Sequence, residues 1–113
     1  MTQSDTAITE EELEQLTGLL RLLSDKTRLT IVLLLSRGER NVTSLCEELN
    51  LPQPTVSHHL GLLRTQNIVA NRRNGKQVFY VLSGRENHQT NEVTLPLEFA
   101  AARFNVRIAP QAE

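Results

Sequence analysis

Apolar residues recur through the first two thirds of the chain at helical spacing, then switch to the alternation of strands. Leu13, Leu16, Leu20 and Leu23 lie three or four apart and predict an amphipathic helix whose stripe needs a partner. Thr9 followed by Glu12 is a capping-box pattern, so this helix is expected to begin near Glu10. Ser24 or Asp25 caps a second helix, with Leu29, Val32 and Leu33 inward and Leu35 closing the stripe. Ser-Arg-Gly-Glu-Arg at 36–40 reads as a turn with Gly38 at the helix C-terminus. A third helix, capped by Thr43, turns Leu45 and Leu49 inward.

Pro52 and Pro54 bracket the start of a fourth helix. Proline is tolerated there because first-turn N–H groups have no helical partner. Val56, Leu60 and Leu63 form its inward stripe, and Pro54, His58, Gly61 and Thr65 lie opposite, flanked by Thr55, Ser57 and Leu62. Ile68–Arg72 and Gln77–Leu82 read as two strands, with Asn74-Gly75 as a type I′ hairpin turn between them. Beyond Ser83 the pattern weakens, and Gly84–Val93 is polar and turn-like. Leu97, Ala101 and Phe104 suggest a short helix over Leu95–Val106, while Pro96 and the β-branched end leave a strand open. Residues 1–8 are expected to be disordered, 9–83 to form the domain, and 84–113 to be a C-terminal segment and candidate dimerisation element.

Two short helices joined by a tight turn, over residues 41–67, have the layout of a helix-turn-helix, whose second helix enters the DNA major groove. A basic hairpin directly after it makes a winged helix. The expected fold is mainly α with a small β-hairpin (α+β), a winged helix-turn-helix, and dimeric, because paired half-sites about one helical turn apart need two recognition helices.

A length of 113 residues suits one domain, and 39% hydrophobic with 22% charged residues is ordinary for a globular protein. No apolar run approaches the roughly 18–20 residues of a membrane span, and the acidic, polar N-terminus is unlike a secretory signal. A cytoplasmic protein with no membrane partner is expected. The net charge of −1 argues against nucleic acid until its distribution is read. Residues 1–20 carry five carboxylates and no Lys or Arg, whereas Leu51 to Arg85 carries no Asp or Glu and includes Arg64, Arg72, Arg73, Lys76 and Arg85. Affinity for phosphate follows the local field. Charge and shape therefore point to the same segment.

Gln53, in the first turn of the fourth helix, and Thr55, Ser57 and His58 after it have side chains that hydrogen-bond base edges or phosphates. Arg64, farther along, suits backbone phosphate, and Arg72, Arg73 and Lys76 stand at the hairpin, placed for phosphate or the minor groove. His59 diverges by about 100° from His58 on a helix, so the two do not share a role; His59 is read as a packing or hydrogen-bonding residue. The single cysteine, Cys46, lies beside the Leu45/Leu49 stripe and is read as a small hydrophobe. One thiol cannot complete a soft-metal shell of three or four ligands, so no metal residue and no cofactor is assigned. No phosphate loop, His-Glu-x-x-His pattern or serine elbow is present, which argues against an enzyme.

The stretches Leu-Ser-Asp-Lys-Thr-Arg-Leu-Thr-Ile at 23–31, Leu-Pro-Gln-Pro-Thr-Val-Ser-His-His-Leu-Gly-Leu-Leu-Arg at 51–64 and Asn-Gly-Lys-Gln-Val-Phe-Tyr-Val-Leu at 74–82 closely resemble the ArsR/SmtB family of bacterial winged-helix repressors. The resemblance covers about residues 15–83. It implies a homodimer on double-stranded DNA with two-fold symmetry near a promoter, repression relieved by an inducer, contact through Gln53, Thr55, Ser57 and His58, and support from a wing at Arg72–Lys76. The Cys-Val-Cys motif of the family's arsenic and cadmium sensors, aligned on Leu45, falls on Asn41 and Thr43 here. Of the Asp, His and Glu ligands that the zinc sensors place on their final helix, the chain offers only His88 after Ser83, with no second His. The segment Val93–Ile108 is shorter and more β-branched than the family's closing helix. The alternative is a winged-helix module that binds another protein and not DNA. The acid-free stretch favours DNA, because a protein-docking surface has no need to exclude carboxylates.

Overall fold

In the computed structural model, which describes residues 8–83, 93–98 and 103–108, helix α1 spans Glu10–Leu23. It begins as its capping box requires: Glu12 N–H donates to Thr9 Oγ1 and Thr9 N–H to Glu12 Oε1, both at 3.0 Å. Helix α2 (Lys26–Leu35) is capped by Asp25, whose carboxylate accepts the Arg28 N–H at 3.0 Å. A two-residue strand β1 (Arg40–Asn41) leads directly into α3 (Val42–Leu49), and α4 (Gln53–Thr65) follows. Strands β2 (Val69–Asn74) and β3 (Gln77–Leu82) pair antiparallel, and β1 joins the other edge of β3 to give the order β1-β3-β2. The sequence reading had no β1.

Ile31, Val32, Leu35, Leu45, Val56, Leu60, Leu63 and Val69 are fully buried, with Leu19, Leu23, Ile68, Tyr80 and Leu82 close behind. At about 1.5–3 kcal/mol each, such side chains supply most of the drive to fold. The α4 stripe is the predicted one. The stripes of α1 and α2 are rotated from expectation. Leu19 and Leu23 turn inward on α1, with Leu16 half-buried, while Leu13 and Leu20 stay 45% and 50% exposed. On α2, Ile31 replaces Leu29 in the core and Leu33 is exposed. An unbroken apolar run, Ile31–Leu35, carries no stripe of its own, so neighbouring elements choose the buried side.

Two local devices differ from expectation, and one open choice is decided. Asn41, not Thr43, caps α3: its Oδ1 accepts the Ser44 N–H at 2.7 Å. Asn is as good a cap as Thr, and pairing with β3 ends the strand at that residue. In the wing, Asn74 pairs with Gln77, so the hairpin loop is Gly75-Lys76. Only Gly75 there has positive φ (67°), as in a type II′ turn, which needs glycine at its first central position alone. Over Leu95–Val106, where helix and strand were both open, the chain forms strands β4 (Val93–Glu98) and β5 (Arg103–Ile108), a separate antiparallel hairpin.

That hairpin has period-two alternation. Val93, Leu95 and Leu97 pair with Ile108, Val106 and Phe104 on one face, and Thr94, Pro96 and Glu98 with Arg107, Asn105 and Arg103 on the other. Pro96 is tolerated because both strands of a two-stranded sheet are edges. Of the segments expected to be disordered (residues 1–8) and turn-like (84–93), residues 1–7 and 84–92 lie outside the described residues. Among the described residues no helix is long and apolar enough to cross a membrane.

Candidate nucleic-acid interface

The turn between α3 and α4 is set by one left-handed residue. Asn50 (φ 55°) lets the Leu51 N–H reach back to the Cys46 carbonyl at 3.1 Å, stopping α3 in a Schellman-type closure. Pro52 then starts α4 within two residues, with Pro54 in its first turn. The same device recurs after α4, where Asn67 (φ 61°) lets the Ile68 N–H reach the Leu63 carbonyl at 3.0 Å and sends the chain into β2. Asparagine, the non-glycine residue that best tolerates this region, thus places both ends of the recognition helix.

Buried Val56, Leu60 and Leu63 fix the rotation of α4. At about 100° per residue, Gln53, Ser57 and Arg64 form one exposed column beside a second made of Pro54, His58, Gly61 and Thr65. Thr55 lies on the other flank with His59, and both are half-buried. The helix therefore leaves Gln53, Ser57, His58 and Arg64 exposed within an arc of about 140°, with Thr55 half-buried about 60° beyond His58. His59 is held by a 3.1 Å contact from Arg28 Nη1 to its Nδ1, in keeping with a hydrogen-bonding rather than a surface role. Cys46 is half-buried and packs against the core. Among the described residues no three His, Cys, Asp or Glu side chains are grouped as metal ligands.

The pleat separates the wing cations. Arg72 pairs with Phe79 and Arg73 with Val78, so the two arginines stand on opposite faces of the hairpin. Arg73 and Lys76 are exposed. Arg72 is exposed too, but its Nε donates to Glu39 Oε2 at 2.6 Å and its guanidinium carbon lies 5.1 Å from the Phe79 ring centroid. The hydrogen bond and charge of Glu39 push the Arg72 pKa up from an already high value. A second pair, Arg40 Nε to Glu48 Oε2 at 2.9 Å, joins β1 to α3. Neither carboxylate was foreseen, because each lies outside the acid-free segment and no local pattern links Glu39 to Arg72.

Known proteins resemble this arrangement. The profile described as bacterial regulatory protein, arsR family, matches residues 25–71. The chain is 50% identical over 66 residues to an arsenical resistance operon repressor of Escherichia coli, a match covering 58% of this chain and 56% of that protein, so the chain spans little over half of that relative. It is 41% identical over 83 residues to a biofilm growth-associated repressor of Xylella fastidiosa, covering 74% and 70% of the two chains. Among solved structures, the homodimeric winged helix-turn-helix DNA-binding domain of a Mycobacterium bovis protein superposes with a TM-score of 0.63 at 30% identity, over 74% of this chain and 76% of that one.

Proposed function

The chain belongs to the arsR family of bacterial regulatory proteins, and on that premise we propose that it is a homodimeric transcriptional repressor that seats α4 of each subunit in the major groove of a two-fold symmetric operator. The observation that carries this reading is the surface shared by Gln53, Ser57, His58 and Arg64, held in place by a buried stripe at 0% exposure on the same helix. Gln53 and Ser57, in the first turns, meet base edges; a Gln amide pairs bidentately with adenine. His58 lies on the adjoining column, and Thr55, half-buried on the far flank, reaches only the groove wall. Arg64, Arg73 and Lys76 meet phosphates, which set affinity but not sequence.

The two subunits close through the leucines that α1 leaves exposed, Leu13 and Leu20, together with the apolar face of the β4–β5 hairpin. A two-stranded hairpin is marginal by itself in water, and association with a second copy offsets that weakness. The protein acts in the cytoplasm, and no catalytic step, metal or cofactor belongs to the reading.

Selection of duplexes from a random library by the purified protein tests the proposal. An enriched motif with dyad symmetry and half-sites about one helical turn apart is the expected result. Recovery of no motif, with binding equal on every duplex, would leave the interaction-module alternative in its place.

A further inference from the structure

Arg72 reaches across the wing rather than out of it. Its partner in register on β3 is Phe79, and Phe79 is in turn opposite Asn41 of β1, so the three positions line one face of the sheet. The Arg72 guanidinium lies against the Phe79 ring, 5.1 Å from its centroid, and ends on Glu39 at the entrance to β1, 33 residues earlier in the chain. Both side chains of the pair keep contact with water, at 54% and 32% exposure.

We propose that Glu39 is an internal competitor for Arg72, a carboxylate that occupies the guanidinium in place of a DNA phosphate and so sets how tightly the wing holds DNA. The inference rests on the wing's DNA contact argued above. A guanidinium presents the same fork of donors to a carboxylate and to a phosphate, so the two are rivals for one group. While paired, Arg72 is neutralised, attracts no phosphate and releases no counterion on binding. An exposed ion pair is weak because water solvates both ions, so a phosphate can displace Glu39, but the freed carboxylate then lies beside the DNA as a like charge. Arg73, on the opposite face of the hairpin, stands outside this competition. The free protein thus presents Arg73 and Lys76 as its working wing cations and holds Arg72 in check.

Glu39→Gln tests this while keeping size and hydrogen-bonding capacity. Binding of a labelled mixed-sequence duplex is measured against salt for the native protein, Glu39→Gln, Arg72→Ala, the double variant, Glu48→Gln, and the pair Arg73→Ala/Lys76→Ala. Glu39→Gln should bind more tightly, with a log–log salt slope steeper by about 0.9, equivalent to a further ~3.5-fold loss between 50 and 200 mM salt. Arg72→Ala should weaken binding in the native background, because it leaves Glu39 as an unpaired negative charge beside the DNA, and should return Glu39→Gln to about the native affinity. Glu48→Gln, which releases Arg40 instead of Arg72, measures what removing another paired carboxylate does. Equal effects of Glu39→Gln and Glu48→Gln, or a double variant that still binds more tightly than the native protein, would overturn the competition. A flattened slope in Arg73→Ala/Lys76→Ala with no change in Glu39→Gln would sink this inference and leave the wing reading standing. No change in any variant would remove both.

Discussion

Arg28 of α2 holds His59 of α4 through a 3.1 Å contact between its Nη1 and the imidazole Nδ1, while its Nε donates to the Leu22 carbonyl at the end of α1 at 2.8 Å. Arginine only donates, so in this contact Nδ1 is the acceptor. One half-buried side chain thus ties three helices together at the flank of the recognition helix. The tie continues to the outer face: the His59 and His58 rings lie 5.8 Å apart, tilted by 57°. The angle at which α4 presents Ser57 and His58 is therefore held by this cluster as well as by the apolar stripe.

Replacing Arg28 with Ala should lower the unfolding free energy by about 1–3 kcal/mol, the range for a partly buried hydrogen bond to a charged donor. Arg28→Lys should recover less than half of that, because an ammonium cannot span both acceptors in the fork geometry. Urea midpoints at fixed slope check this; equal midpoints for Lys and Ala with no loss against the native chain would show that the contact contributes nothing.

Asp25 gives the fold an acid-sensitive joint. The Arg28 backbone N–H holds its carboxyl below the usual range, aided by the charge of the Arg28 side chain and opposed by partial desolvation. A carboxyl whose folded pKa is depressed adds stability that is complete above its unfolded value, near 3.9, and is lost as pH falls through the folded value. The stability difference between the native chain and Asp25→Ala should be constant from about pH 5 upward and shrink as pH drops below about 4. A difference that grew on acidification would contradict the cap.

If α1 closes the dimer as proposed, Leu13 and Leu20 should be dispensable to the subunit and needed by the dimer. A Leu13→Asp/Leu20→Asp variant should keep its helical signal and sediment as a monomer, since neither side chain reaches the core. Leu19→Asp, in contrast, should unfold the chain by placing a charge in an apolar interior. Dimers that persist undiminished in the double variant would move the interface off α1.

Base reading should separate along the faces of α4. Gln53→Ala and Ser57→Ala should each cost about 1–3 kcal/mol on the selected operator and little on random duplex. Thr55→Ala should cost less, because Thr55 stands on the half-buried flank. Competition binding with operator and random duplexes distinguishes these outcomes; equal losses on both would make Gln53 and Ser57 positioning groups.

The order of the four helices, the cap at Thr9, a cap at Ser24 or Asp25, the inward stripe of α4 and the pairing of β2 with β3 were all determined by the sequence alone. Each depends on partners within a few residues, where a cap, a proline or a period of 3.6 or 2 acts directly on the local backbone. The stripe on α2 was not legible, because a run of consecutive apolar residues is buried on whichever side its neighbours approach. Strand β1 exists only because Arg40 and Asn41 lie against Tyr80 and Phe79. Residues 95–106 matched a helical spacing and a strand alternation at once, and pairing of Val93–Glu98 with Arg103–Ile108 decided for the strand. The stretch from Leu51 to Arg85 is free of acid along the chain but not in space. Folding brings Glu39 to Arg72 across 33 residues, and only the tertiary structure decides which charges of a basic segment are already spoken for, because electrostatic partners are set by distance in three dimensions and not by separation along the backbone.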